Sequence, residues 1–556
     1  MQPIPLPRVA LEEGSPSVNH SGNGVMNHDS SSPDVLLVQP PFVGPYNFWK
    51  SESLGMGYLA SSLEGRGYSV GIIDGFLADL SIEETVAQIL AARPRLLLGF
   101  SILSYELYQS TQAIIRQVRA AGLDVHVTIG SWFPTFWSAQ IIDEGTPIDS
   151  IVLAEGERSV CALADYLRTG SWDGSESFLD RRDHRGVLLL SQKATLLEVD
   201  RLPHPRRDFL PAVFERYHLA TSYTARGCGY NRCTFCSVPA FYQGGPKHRL
   251  RSPGNVADEI EQIARSGANF VFFTDEDFLG EPPAGPARAL AIFEEVAARG
   301  IPMRYTFNCT TMGVEEQLFQ RLVELGLAAV YIGMESNIER NLKRFLKGVR
   351  REELDRAVAI LRDLGVKLVP GWIMFERDST LEETEEQIAF LENLGSYHVN
   401  YLKALYVMKD TPMERMYADD LYKTYFHSRY YFRDPDVDLL VRILLNDYLP
   451  EVMPYTNEVY PIWHILLAGF GTDEQQRRFD RINTRIRELS LCFAREVIRR
   501  IRKRSLEGVA RELTAQVRAW SELGTEISKL ARELGHGSSP VQPRTVADGV
   551  VGLGMA

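Results

Sequence analysis

The sequence predicts an α/β protein in three ordered parts. These are a doubly wound, Rossmann-like domain (34–170), a partial (β/α)6 barrel (217–412) and an α-helical C-terminal domain (413–534). Three observations carry this reading. Short apolar runs of strand length alternate with amphipathic helical periods from 34 to 170, and again from about 218 to 408. Between the two alternations, residues 171–216 are rich in Gly, Ser, Asp, Arg and Pro and read as a linker. Beyond about 411 only helical periods remain, and 556 residues exceed what one core accommodates.

Residues 1–33 are rich in Ser, Asn, Gly and Pro without an apolar period and read as a disordered leader. Strands are then expected at 35–38, 69–73, 96–100, 125–129 and 150–153, and helices at 54–64, 82–90, 107–120, 138–144 and 158–167. Ligands of such a sheet sit at the carboxyl ends of its strands. Those ends carry Pro40-Pro41, Ser101 to Ser104, Gly130 to Pro134 and Ala154-Glu155-Gly156-Glu157. No Gly-x-Gly-x-x-Gly follows the first strand, which argues against a dinucleotide site. The linker holds a candidate strand pair, 187–190 and 194–199.

Barrel strands are expected at 219–223, 270–273, 304–307, 329–332, 367–374 and 400–406, with catalytic groups at their carboxyl ends. An aromatic stretch (425–432) precedes helical periods at 475–505 and 506–533, read as packing core and as a cap over the barrel. Residues 535–556 read as a disordered tail.

Cys228, Cys233 and Cys236 fall within nine residues after the first barrel strand. Thiolates this close can hold one soft metal centre, and three of them leave one corner of a four-iron cluster open. A zinc site with His248 as fourth ligand, or a disulfide plus a spare thiol, are the alternatives. The scattered Cys161, Cys309 and Cys492 read as small core residues.

Composition excludes several classes. The net charge of −12 argues against a nucleic-acid surface. No apolar run is long enough to span a membrane, and the start does not read as a secretory signal, so a cytoplasmic setting with free thiols is expected.

The cysteine stretch resembles the radical S-adenosylmethionine (radical SAM) superfamily, whose hallmark is Cys-x3-Cys-x2-Cys with an aromatic before the last cysteine. Phe235 takes that aromatic position, and the first gap here holds four residues, Gly229 to Arg232. The resemblance implies a 4Fe-4S cluster on Cys228, Cys233 and Cys236 as the catalytic metal centre. It further implies S-adenosylmethionine held by Asp275, Glu276 and Asp277 at its ammonium, by Glu335 and Ser336 at its ribose and carboxylate, and by the backbone of Phe375 at its adenine. Outside the resemblance, the acidic cluster 275–277 is an ordinary solvated turn, and Asn308 either faces the substrate or caps a helix.

The first domain is similar to the cobalamin-binding domain of one branch of that superfamily. The matching pieces are Pro40-Pro41, Leu54-Gly55-Met56-Gly57-Tyr58-Leu59-Ala60, Gly130-Ser131-Trp132-Phe133-Pro134-Thr135 and Glu155-Gly156-Glu157. The Asp-x-His-x-x-Gly motif of other cobalamin proteins is missing. The likeness implies contacts to cobalamin (methylcobalamin) from Pro41, Leu54, Ser101, Leu103, Gly130, Ser131, Trp132, Glu155, Gly156 and Glu157, with the 101–104 turn under the cobalt and an open lower face suited to methyl transfer.

The two likenesses together imply a radical SAM C-methyltransferase acting on a small natural-product (antibiotic) precursor, heterocyclic or carrier-bound. A flavodoxin- or ferredoxin-type protein would be the electron donor, and no nucleic acid or membrane is expected as partner. A cyclase, ring-contracting or other non-methylating radical enzyme is the alternative, and a redox or cobalamin sensor the second. The basic run Arg495, Arg499, Arg500, Arg502, Lys503 and Arg504 is either a solvated face or a dock for an acidic carrier.

Overall fold

The structure, a computed structural model, describes residues 32–42, 50–172, 181–182, 186–191, 198–242, 248–396, 401–424, 427–456 and 458–536. The expected leader and tail fall almost entirely outside these residues.

Five parallel strands open the fold: β1 (Val35–Gln39), β2 (Val70–Asp74), β3 (Leu97–Ser101), β4 (His126–Gly130) and β5 (Ser150–Leu153), in the order β2-β1-β3-β4-β5. β1 and β2 are buried along their whole length, which is why they read as unbroken apolar runs rather than as alternations. One face packs on helices Leu54–Glu64 and Glu157–Thr169, the other on Ile82–Ala92 and Tyr105–Ala120. Ser81 starts the third of these with a capping box to Glu84.

The linker stretch, whose candidate strand 187–190 is present as a strand, extends this sheet. β6 (Arg181–Arg182) and β7 (Leu188–Ser191) join it, β7 parallel to β5 and β6 antiparallel to β7. Residues 194–197 of the candidate strand 194–199 lie outside the described residues, and its end, Val199–Arg201, is a 3-10 turn.

The barrel begins with β8 (Ala220–Ser222) and a two-stranded antiparallel piece, β9 (Ala225–Gly227) with β10 (His248–Leu250). β11 (Phe270–Phe273), β12 (Arg304–Cys309), β13 (Leu327–Glu335) and β14 (Lys367–Trp372) complete a parallel sheet ordered β14-β13-β12-β11-β8. The expected sixth strand is reduced. Residues 397–400 are not described, and the rest joins β14's extension by one parallel bridge, Phe375 to Ala404.

The C-terminal part holds a hairpin, β15 (Leu421–Thr424) and β16 (His427–Tyr430), and two long helices, Asp473–Arg502 and Val509–Glu533. The first long helix lies along barrel helix Leu381–Leu394: Asn483 donates to the Ser396 carbonyl at 2.9 Å and Arg495 pairs with Glu392 at 2.6 Å. It therefore covers the barrel's flank, not the mouth as a cap would. In its basic run Arg499 and Arg500 pair with Glu496, Arg502 with Glu382 and Glu385, and Arg504 with Asp436, the pattern of a solvated, ion-paired face. Cys161 and Cys309 are buried as expected, whereas Cys492 is exposed. Among the described residues no helix is long and apolar enough to cross a membrane.

Candidate active site

The three clustered cysteines leave the end of β9 at the carboxyl side of the barrel, where strand ends converge. Their loop is held from outside by residues 344–346. Thr234 donates its N–H to the Phe345 carbonyl at 3.1 Å and its hydroxyl to the Arg344 carbonyl at 2.8 Å, and the Tyr230 hydroxyl reaches the Leu346 carbonyl. Phe235 meets Phe345 edge-on at 5.3 Å. The fourth residue of the first gap is absorbed at Asn231, which takes φ 51°, beside Gly227 at φ 84°. Gly229 serves close approach instead, since a Cβ there would stand 2.9 Å from the Glu281 nitrogen.

All three thiols are free and half-buried. Burial, then Asp277, pushes Cys228 up to about 12; burial, then Cys233, pushes Cys236 up to about 11. Backbone N–H groups of Asn231 and Tyr230 face Cys228, and that of Val238 faces Cys236, as a thiolate ligand requires.

Among the described residues no three His, Cys, Asp or Glu side chains converge on one metal ion. Zinc would need its donors about 2.3 Å from a single point, whereas in a cluster each thiolate takes a separate iron. His248 is also turned away. Its ring lies against Gly280, where an added Cβ would be 2.8 Å from its Cε1, and burial pushes it down to about 4. The donor set fits an iron-sulfur cluster.

Of the three acids after β11, two face the thiols and one does not. Asp275 is buried and accepts from the Thr224 N–H and hydroxyl at 3.0 and 2.9 Å, while Asn308 donates to its carbonyl at 2.9 Å. These two residues brace β8, β11 and β12 rather than meet a ligand. Asp277 lies 3.9 Å from the Cys228 sulfur, and its Oδ1 is buried without a hydrogen-bond partner of good geometry. Glu276 is open to the cleft yet ringed by protein, and this burial pushes its carboxyl up to about 7; Gly227 N–H and the Tyr242 hydroxyl hold it at 3.2 Å.

At the end of β13, Glu335 takes φ 66° and faces Lys347 at 3.4 Å. Two expectations fail here. Ser336 is fully buried, its hydroxyl engaged with Ile338 N–H at 3.2 Å and Asn341 at 3.3 Å, so it caps the following turn and does not reach a ribose. Phe375 is fully buried and its backbone edge is occupied: its N–H donates to the Lys403 carbonyl at 3.1 Å and its carbonyl accepts from Leu405 N–H at 2.7 Å, so no edge is left for adenine.

The doubly wound domain opens a cavity of about 190 Å³ at its strand ends, lined by Ser101, Gly130, Ser131, Glu155, Gly156 and Glu157 among others, and by Arg226, Phe241 and Tyr242 of the barrel. Small residues make it. A Cβ on Gly130 would stand 3.2 Å from the Val152 carbonyl oxygen, and one on Gly156 3.0 Å from Leu59 Cδ2. Ser131 (φ 86°) and Ala154 (φ 57°) hold strained backbone on its rim. This deep slot between strand ends fits the tail of a cobalamin. Leu103 stands beyond the lining, 57% exposed. Pro41 and Leu54 also lie outside it; Pro41 packs on Gly75, and Gly55 and Met56 line the slot in place of Leu54.

Glu155 and Glu157 line the slot, but their carboxylates go to the barrel. Arg226 pairs with Glu155 at 2.7 Å and with Glu157, and Arg249 pairs with Glu155 at 2.8 Å. Trp132 likewise stacks on Phe241, at 4.3 Å, five residues after the last cysteine. A second buried network, Glu52, Arg207, Glu259 and Arg251, ties the domains from below. Arg226, Arg249 and Lys347 escaped sequence reasoning. Arg226 alone carried a signal, its place two residues before Cys228.

Residues 222–391 match the Radical SAM superfamily and residues 50–164 the B12 binding domain. The chain is 27% identical over 351 residues to 4'-phospho-dehydrooxetanocin synthase of Priestia megaterium, a match covering 57% of this chain and 45% of that protein, so less than half of that relative is spanned. The fold resembles that of the cobalamin-dependent S-adenosylmethionine radical enzyme OxsB with aqua-cobalamin and S-adenosylmethionine bound (TM-score 0.68, 19% identity, 90% of this chain and 80% of that one). It also resembles the radical S-adenosylmethionine methyltransferase TsrM of Kitasatospora setae with cobalamin and a [4Fe-4S] cluster bound (TM-score 0.57, 20% identity, 69% and 74%).

Proposed function

We propose that this chain, which carries a radical SAM domain and a B12-binding domain, is a cobalamin-dependent radical SAM C-methyltransferase acting on a small natural-product precursor. When bound, the cluster supplies the electron that cleaves S-adenosylmethionine, and cobalamin supplies the methyl group. Cys228, Cys233 and Cys236 would hold the cluster. Glu276, open to the cleft, would hold the ammonium of S-adenosylmethionine, and Glu335 beside Lys347 its polar rim. The slot at Gly130, Ser131 and Gly156 would take the cobalamin tail.

The observation that carries the methyl-transfer reading is the turn after β3. Its side chains, from Ser101 to Ser104, carry no nitrogen or sulfur, and Leu103 among them is 57% exposed, which supports a cobalamin held without a ligand from this turn. The two buried ion networks keep the slot fixed over the barrel mouth, and this supports transfer between the two cofactor sites.

A second reading, radical rearrangement without methyl transfer, is favoured by the match to a synthase and to a cyclase, although a methyltransferase also stands among the relatives. Anaerobic reconstitution with cobalamin, S-adenosylmethionine, dithionite and a panel of small precursors separates them. Deoxyadenosine with S-adenosylhomocysteine in step with a methylated product supports the first. Deoxyadenosine with an unmethylated, altered product supports the second, and neither nucleoside leaves only a sensor.

A further inference from the structure

Tyr242 touches both the slot of the first domain and the cleft of the barrel. It stands six residues after Cys236, at the end of the short helix Val238–Phe241. Its side chain lines the slot together with Arg226 and Phe241. Its hydroxyl donates to Glu276 Oε1 at 3.2 Å, on the cleft side.

The ring is held by named neighbours. Phe241 meets it edge-on at 5.1 Å, and the Arg249 guanidinium lies over it, 5.1 Å from the ring centre. Arg249 in turn grips both carboxylate oxygens of Glu155, at 2.8 and 2.9 Å, and Glu155 is itself part of the slot lining. Tyr242 is thus carried on the ion network that joins the two domains, with the cavity bordering it as well.

Glu276 is held more loosely. It is exposed, and the Gly227 N–H and the Tyr242 hydroxyl both reach it at 3.2 Å, long for bonds to a carboxylate. A side chain on such bonds keeps rotamer freedom that a ligand of its carboxylate must remove. A group filling the slot packs on Tyr242, fixes its hydroxyl and takes away part of that freedom beforehand. The second ligand then has less ordering left to do, which is positive coupling without a change of fold.

We infer that Tyr242 is a positioning residue that couples the two sites: a corrinoid in the slot settles Tyr242, and Tyr242 settles Glu276 for the ammonium of S-adenosylmethionine. The inference rests on reading slot and cleft as the sites of those two cofactors. Coupling of this kind favours loading of the cleft in chains whose slot is already filled.

The test is equilibrium dialysis of S-adenosylmethionine against the cluster-reconstituted protein, without reductant so that nothing turns over, with and without saturating hydroxocobalamin. Wild type is expected to bind S-adenosylmethionine about tenfold more tightly when cobalamin is present, and cobalamin to gain the same factor from S-adenosylmethionine, as linkage requires. Y242F keeps the ring and loses the hydroxyl, and should bring that ratio to within about twofold of unity. A merely structural loss would weaken binding equally in both conditions and leave the ratio unchanged. S101A, which alters the slot at the end of β3, should keep the wild-type ratio once the slot is saturated.

The inference is overturned if Y242F keeps the wild-type ratio, if S101A loses it as Y242F does, or if Y242F takes up no cobalamin, which would make the hydroxyl a slot contact and not a link. If S-adenosylmethionine binds wild type in neither condition, the radical-site reading itself falls and the inference with it. Binding that is indifferent to cobalamin in wild type sinks only the role of Tyr242.

Discussion

Replacing Arg226 with methionine tests whether the two domains are locked together through charge. The guanidinium sits between Glu155 and Glu157, which are 5% exposed each, and reaches the Tyr223 hydroxyl. Arg249 still answers Glu155 in the variant, but among the described residues Glu157 has no other ion partner. Removing one member of a buried pair leaves an uncompensated charge, with a cost of about 3–5 kcal/mol. R226M should therefore lower unfolding free energy by that amount. R226M/E157Q, which removes the stranded charge as well, should recover more than half of the loss. The assay is anaerobic urea unfolding of the reduced apoprotein, followed by tryptophan fluorescence, with Trp132 reporting from this interface through its stack on Phe241. If R226M unfolds within about 0.5 kcal/mol of wild type, or if the double variant is no more stable than the single one, the argument for a charge lock is wrong.

The remaining predictions address individual groups. C228A, C233A and C236A should each keep the fold, because these half-buried thiols lack packing partners comparable to a core side chain, yet fail to retain iron and sulfide on reconstitution. D275A should destabilise by about 2–4 kcal/mol because it strands the Thr224 donors, while E276Q, at the open cleft, should cost under about 1 kcal/mol but weaken S-adenosylmethionine binding measured by equilibrium dialysis. Burial pushes Asp74 up to about 7, so the folded chain holds this proton more tightly than the unfolded one; its contribution is fully present below the unfolded value near 3.8 and is lost as pH rises towards 7. D74N should accordingly be more stable than wild type at pH 8, by up to about 4 kcal/mol, with the gap closing at pH 4 in denaturant titrations. Reversing Arg499 should change neither turnover nor its salt dependence, since Glu496, not a carrier, is its partner.

Much of the scaffold was legible because its physics is local. Helix Leu54–Glu64 and strands Ser150–Leu153 and Phe270–Phe273 fall where periodicity and apolar run length place them. β7 falls on the strand read at 187–190, but its place in the first sheet was not legible, and β6 was not read at all, because a two-residue edge strand such as Arg181–Arg182 has no pattern of its own. Strand ends were legible as the site's location, but not the direction of each side chain there. Asp275, Ser336 and Phe375 share the rim with Glu276 and Glu335, and only the packed structure turns the first three inward. Arg226 and Lys347 act through partners distant in sequence, Glu155 and Glu157 for the first and Glu335 for the second, and such pairings leave no motif. The basic helix run left two readings open for the same reason, since Arg502 and Arg504 meet acids elsewhere in the chain and only Arg499 and Arg500 meet one on their own helix.

The central claim is that Cys228, Cys233 and Cys236 together hold a four-iron cluster whose remaining iron takes S-adenosylmethionine. The direct measurement is electron paramagnetic resonance of the anaerobically reconstituted, dithionite-reduced protein before and after adding S-adenosylmethionine, with iron and sulfide counted on the same sample. The account predicts about four irons and four sulfides per chain and a signal that shifts when the cofactor is added. Bound zinc in place of iron, or a reduced cluster whose signal is indifferent to S-adenosylmethionine, would contradict it.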